Sequence, residues 1–147
     1  VNVPLKGEYS LRDFSRSARY FNVPFKFPAK FPMSTVSAAR AYYWLHGQDC
    51  QKARQFAHAA FRAYWVDGRD ISDLAVVQEI AAGLGIDGTA LAAGIATPEI
   101  KERLKVETDT ALAKGMCGAP YFVVDNEPFW GADRLPQIEK WLQTGGF

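Results

Sequence analysis

Two short stretches near the C-terminus, Ala119-Pro120 and Trp130-Gly131-Ala132-Asp133, carry residue types able to hold a small charged ligand. A proline at the head of a strand, where its peptide bond is cis, turns the preceding backbone outward and offers Ala119 N–H and C=O as an edge to an extended peptide. In the second stretch Asp133 can pair with an ammonium group. The N–H groups and positive dipole end of a following helix suit a carboxylate, and Gly131 admits close backbone approach. The chemistry is that of binding a peptide-like molecule that carries both charges. Each residue also has a purely structural role: Pro120 as the first residue of a strand, Asp133 as a helix cap, Trp130 as core filling.

The other candidates yield less. Lys6 is able to meet a carboxylate or to stand as a surface lysine, and Ser34 has the chemistry of a helix N-cap, as does Thr35. His46 and His58 lie twelve residues apart with no acidic or cysteine partner at ligand spacing, so no metal site is read. Cys50 and Cys117 form no CxxC, which excludes a vicinal dithiol and a zinc site; they read as small buried residues in a reducing compartment. Asp70, Asp73 and Asp87 precede or begin helices and need no calcium to explain them. Of the aromatics Tyr42, Tyr43, Trp44, Phe56, Phe61, Tyr64 and Trp65, most read as core, with a subset free to line an apolar slot for a flat ring system.

The elements that must position these residues follow from hydrophobic period and capping. Val1 to Lys6 reads as extended chain. A helix follows over Tyr9 to Tyr20, with Leu11, Phe14, Ala18 and Phe21 at helical spacing, and Asn22 stops it. The stretch Val23 to Pro32 is studded with prolines and admits at most a short edge strand. From Ser34 to about Gly115 the pattern is helical. One helix runs from Gln51 to Val66 with the stripe Ala53, Phe56, Ala57, Ala60, Phe61 and Tyr64. A second opens at Ser72 or Asp73 and turns Leu74, Val77, Ile80, Ala81 and Leu84 inward, with Gly85 as its C-cap. A short helix over Gly88 to Ala96 precedes one that starts at Thr97-Pro98-Glu99 and runs to Lys114, with Gly115 past its end. Tyr121 to Val124 and Pro128 to Trp130 then read as a hairpin around Asp125-Asn126-Glu127. Asp133 caps a final helix with Leu135, Ile138, Trp141 and Leu142 inward. A lone hairpin does not make a stable sheet in water, so further strands are expected.

Composition sets the outer bounds. The chain has 147 residues, 48% hydrophobic and 22% charged, which suits a globular domain and excludes a disordered or fibrous class. Lys plus Arg number 17 against 16 for Asp plus Glu, so a net charge of +1 gives no electrostatic case for a nucleic acid partner. No apolar run approaches the roughly 20 residues that span a bilayer, and Val1 to Ser10 lacks the regions of a signal peptide. A soluble cytoplasmic protein with no membrane partner is expected.

Gly118-Ala119-Pro120-Tyr121-Phe122-Val123-Val124 followed by Phe129-Trp130-Gly131-Ala132-Asp133-Arg134-Leu135 resembles the 2-hydroxychromene-2-carboxylate isomerase family, relatives of kappa-class glutathione transferases and DsbA proteins. Lys6-Gly7, Tyr9, Asp13, Val23-Pro24-Phe25 and Phe27-Pro28 extend the resemblance to the front of the chain. It implies an α/β, thioredoxin-like fold of the DsbA/kappa glutathione transferase type with a large all-helical insertion. Residues 1–33 are then an extended segment, helix and proline-rich connection, 34–115 the insertion, and 116–147 the C-terminal thioredoxin-like half. The family's opening βαβ portion, which takes roughly 30 residues or more, is expected to be absent from this chain, and with it the serine that faces the glutathione sulfur. No catalytic residue is therefore assigned within the chain.

The resemblance also implies a function: glutathione-dependent cis/trans isomerisation of 2-hydroxychromene-2-carboxylate to a hydroxybenzylidene pyruvate in naphthalene-type aromatic breakdown. Glutathione would be held by Ala119, a cis Pro120, Trp130, Gly131, Ala132 and Asp133, and a small aromatic carboxylate substrate by Asn2 and Ser34. At Ser34 many relatives have asparagine. A homodimer is implied. The alternatives are a kappa-class-like transferase, a DsbA-like thiol oxidoreductase, for which this chain has no CxxC, and a non-catalytic thioredoxin-like fragment.

Overall fold

The structure is a computed structural model that describes residues 6–147. Its element order is α1 (Lys6–Tyr20), α2 (Val36–His46), α3 (Cys50–Trp65), α4 (Leu74–Ala82), α5 (Gly88–Ala96), α6 (Pro98–Ala113), β1 (Tyr121–Val124), β2 (Glu127–Trp130), a 3-10 turn (Ala132–Arg134) and α7 (Leu135–Thr144). The chain divides into two compact units, residues 1–104 and 105–147.

Aspartate side chains start α3, α4 and α5. Asp49 accepts from the N–H groups of Gln51 and Lys52 at 2.8 and 3.1 Å, Asp73 from Ala75 at 2.9 Å, and Asp87 from Thr89 and Ala90 at 2.8 and 3.2 Å. Thr97 Oγ1 accepts from Ile100 N–H at 3.4 Å ahead of Pro98. Ser34 and Thr35 do not act this way. Ser34 is exposed, and Thr35, at φ −108° and ψ 10°, lies outside the extended geometry that aims a cap at the first amides, so it makes no side-chain cap bond. The extended segment expected up to Lys6 lies outside the described residues except for Lys6 itself, which begins α1.

The core of this unit is built from Ala38, Ala41 and Leu45 of α2, the α3 stripe, Val77, Ile80 and Ala81 of α4, and Leu91 and Ile95 of α5. On α3 the buried residues are Ala53, Phe56, Ala60, Ala63 and Tyr64, while Phe61 is 64% exposed, contrary to expectation. At roughly 100° per residue Phe61 lies about a right angle from the centre of that arc. Leu11, Phe14 and Phe21 of the α1 face are likewise exposed, as is Leu74 at the first position of α4. Cys50 and Cys117 are free and exposed, because one opens α3 on its outer side and the other lies in the turn before β1.

The proline-rich segment forms no strand. It is fixed by rings: Phe25 stacks on Trp65 with centroids 5.8 Å apart, Phe27 meets Phe31 at 5.3 Å, and Lys26 N–H donates to Trp65 C=O at 2.7 Å. A polar clasp holds its end. Lys30 Nζ donates to Asp70 Oδ2 at 3.0 Å and to Ser72 Oγ at 3.1 Å, Ser72 N–H and Oγ–H both donate to Asp70, and Tyr64 O–H donates to Lys30 C=O at 3.1 Å. The hydrogen bond from the Ser72 hydroxyl, and then that from Lys30, lowers the Asp70 pKa to about 2. A carboxyl held low in the folded state contributes stability above its unfolded value, and that contribution is lost as pH falls through about 2. Asp70→Asn is therefore expected to lower the urea midpoint at pH 7, with the gap to wild type closing between about pH 4 and pH 2. A gap that stays constant over that range contradicts the clasp.

In the second unit β1 and β2 pair antiparallel, Tyr121 opposite Trp130 and Val124 opposite Glu127. Asp125 and Asn126 at φ 52° and 67° make the tight turn that matches strand twist. Phe129 and Ile138 are buried, and Trp141 packs edge-on against Phe129 at 5.8 Å while its Nε1–H donates to Asp125 at 3.0 Å. Leu135 and Leu142, expected inside, are exposed.

Candidate functional site

In the second unit the chain leaves α6 through Gly115 at φ 82° and reaches β1 by way of Gly118, Ala119 and Pro120. The Ala119–Pro120 peptide is cis, as the resemblance implies, and a second cis peptide, not anticipated, joins Phe31 to Pro32. Among the described residues neither the N–H nor the C=O of Ala119 is hydrogen-bonded, and the residue is exposed. One residue on, Pro120 C=O accepts from Gly131 N–H at 3.0 Å. That bond extends the β1–β2 ladder by one step and brings the two expected stretches, Ala119-Pro120 and Trp130 to Asp133, side by side.

Trp130 does not fill the core: it is 54% exposed, and its indole lies against the Gly118 backbone, where a Cβ would come within 2.6 Å of Nε1. Gly131 turns the chain at φ 107°, a conformation open to glycine, and the Asp133 carboxylate folds back over its Cα. Asp133 is also not the helix cap expected of it. The 3-10 turn places it one residue too early, Arg134 occupies the cap position of α7, and the carboxylate meets Arg134 Nη1 at 3.1 Å. Among the described residues the N–H groups of Ala132 and Asp133 donate to no other group. α7 itself is a poor anion site, since Pro136 in its first turn has no N–H.

The arrangement thus offers an unpaired backbone edge, two unused amide donors, an exposed carboxylate and an exposed guanidinium on one short path from Ala119 to Arg134. These features fit a small peptide whose main chain adds to the edge and whose charged end reaches the turn. Arg134 was not singled out from sequence; its adjacency to Asp133 was the available signal. The absence of a side chain at 118 and 131 admits the Trp130 indole against one backbone segment and the Asp133 carboxylate against the other.

Asn2 lies outside the described residues, and Ser34 sits exposed ahead of α2 in the first unit. That unit carries a cavity of about 410 Å³ whose walls include Tyr42 and Tyr43 of α2, Phe61 of α3, Ala38, Ile71 and Leu104. Arg103 stands over the Tyr43 ring, 5.7 Å from its centroid. Of the seven aromatics named above, three therefore line a cavity and Phe56 and Tyr64 are core. No group of His, Cys, Asp and Glu able to hold a metal ion occurs among the described residues, and no described helix is long and apolar enough to cross a membrane.

A family model described as "DSBA-like thioredoxin domain" matches residues 1–143. The 2-hydroxychromene-2-carboxylate isomerase of Sphingobium xenophagum is 33% identical over 132 residues, covering 90% of this chain and 66% of that protein. Glutathione s-transferase kappa 2 of Caenorhabditis elegans is 25% identical over 154 residues, covering 97% of this chain and 68% of that protein. Among solved structures, that of a 2-hydroxychromene-2-carboxylate isomerase superposes with a TM-score of 0.83 at 24% identity, over 95% of this chain and 66% of the other. The chain thus spans just under two thirds of the length of the Sphingobium protein and of the superposed chain.

Proposed function

The chain belongs to the DSBA-like thioredoxin domain family, and from that premise we propose that it serves a glutathione-dependent isomerase acting on 2-hydroxychromene-2-carboxylate-like aromatic acids. The observation that carries the reading is the unpaired Ala119 edge joined through the Pro120–Gly131 hydrogen bond to the Trp130–Asp133 turn. Similarity to an isomerase of that name, and to a kappa-class glutathione transferase, supports the choice of ligand and reaction.

Glutathione, when bound, supplies the thiol whose reversible addition to an enone carbon would lower the barrier to rotation about the neighbouring bond. The chain's own residues bind and orient. Ala119 N–H and C=O pair with the peptide main chain, the Ala132 and Asp133 amides and the Asp133 carboxylate fix its charged end, and the Trp130 indole covers the flank beside Gly118. The apolar cavity between Tyr42, Tyr43 and Phe61 has the size and walls to take a fused ring system.

The test is conversion of 2-hydroxychromene-2-carboxylate by the full-length protein that carries this chain, followed by absorbance with and without glutathione. Turnover that depends on glutathione is expected; conversion unchanged by its removal contradicts the reading. The similarity to the kappa-class transferase favours one other activity, conjugation of an electrophile. Thioether formation with a chlorodinitrobenzene-type substrate, in a chain that leaves the chromene untouched, would select it.

A further inference from the structure

We infer that Cys50 and His46 form a thiol and imidazole pair that captures a small non-protein disulfide, His46 acting as the base and Cys50 as the sulfur that carries the adduct. The pair lies in the first unit and does not depend on glutathione at the Ala119 edge.

His46 closes α2 and Cys50 opens α3. Along the sequence the histidine reads as unpartnered, but the turn between the two helices gives the Cys50 thiol two acceptors on one residue, His46 Nε2 and His46 C=O, each 3.7 Å from Sγ. Hydrogen bonds hold that turn. The N–H groups of Gln48 and Asp49 both donate to Leu45 C=O, at 2.9 and 2.7 Å, and Leu45 is buried. The His46 ring packs against that of Tyr42 with centroids 5.7 Å apart, which limits its rotation. The neighbouring Asp49 carboxylate, the group placed to oppose negative charge on sulfur, is occupied by the N–H groups of Gln51 and Lys52 at 2.8 and 3.1 Å. Both members of the pair are exposed, so a reagent in solvent reaches the sulfur.

Proton transfer across the pair runs in the sense that both helices favour. It puts positive charge on the imidazole at the carboxyl end of α2 and negative charge on sulfur at the amino end of α3, each complementary to the dipole there. The thiolate then attacks one sulfur of a disulfide R–S–S–R. A bond from Cys50 Sγ to that sulfur forms, the S–S bond breaks, and the departing thiolate takes the proton from His46 Nε2. The Cys50 thiol is thereby oxidised to a mixed disulfide, half of the reagent is reduced to R–SH, and His46 returns to its neutral form. Cys117 supplies the comparison within the same chain: it is also free and exposed, and it has no hydrogen-bonding partner among the described residues.

The test is the rate of adduct formation at each cysteine when the full-length protein that carries this chain meets bis(hydroxyethyl) disulfide at neutral pH, read by peptide mass mapping. This reagent carries no charge for the turn at Asp133 to hold. An unassisted cysteine is thiolate to only a few per cent near neutrality, so base assistance has room to make Cys50 react roughly tenfold faster than Cys117. His46→Gln is expected to bring the Cys50 rate to within about twofold of the Cys117 rate and to leave Cys117 unchanged. The His46 side chain is exposed, so the variant keeps its fold, which circular dichroism verifies. Cys117 reacting as fast as Cys50 overturns the inference, as does a Cys50 rate untouched by His46→Gln. A loss shared equally by the two cysteines also overturns it, because the effect of His46 would then lie outside the pair.

Discussion

Phe56→Ala is expected to destabilise the N-terminal unit by about 3–5 kcal/mol, the range for emptying a core phenylalanine site. Phe56 is 1% exposed and lies among Ala38, Ala41 and Leu45 of α2 and Val77 and Ile80 of α4 in one continuous core. Truncation removes the transfer energy of the ring and leaves a void whose alanine neighbours are too short to close it. The control is on the same helix: Phe61→Ala, at 64% exposure, is expected to change stability by less than about 0.5 kcal/mol. Urea unfolding followed at 222 nm reads both. Equal losses at the two positions would contradict the burial pattern.

Gly94→Ala is expected to cost about 2 kcal/mol although helix propensity alone predicts a gain of about 1 kcal/mol. Gly94 is buried in the last turn of α5, and the Trp44 indole of α2 lies against its Cα, so an added methyl collides with the ring. The collision is not with the free end of a flexible chain: the ring packs against the core between α2 and α5, and relief requires helix separation. Pairing Gly94→Ala with Trp44→Leu should recover part of the loss, because the two substitutions share one contact. A single variant as stable as wild type would mean that Trp44 is elsewhere.

What was legible in the sequence was local chemistry. Asp87, and then Thr97-Pro98, bracket α5, and its ends fall where the sequence places them. Gly115 and the Asp125-Asn126 pair mark chain reversals that require positive φ, and the structure puts positive φ at each. What was not legible depends on partners distant in sequence. The period on α1 marks Leu11, Phe14 and Phe21 as one apolar face but says nothing about whether that face is covered, and all three are exposed. An aspartate before a helix reads as a cap at Asp133 as it does at Asp87, yet a single 3-10 turn moves the helix start to Leu135 and frees the carboxylate. That shift leaves Asp133 and its neighbour Arg134 open to solvent at the edge of the candidate site.

The most direct test of the site is a two-dimensional amide spectrum of the isotopically labelled full chain during titration with glutathione. Saturable shifts concentrated at Ala119, Gly131, Ala132 and Asp133, sharing one dissociation constant, are the predicted result. Saturable shifts confined to other residues, or none at these four at millimolar glutathione, would contradict the account.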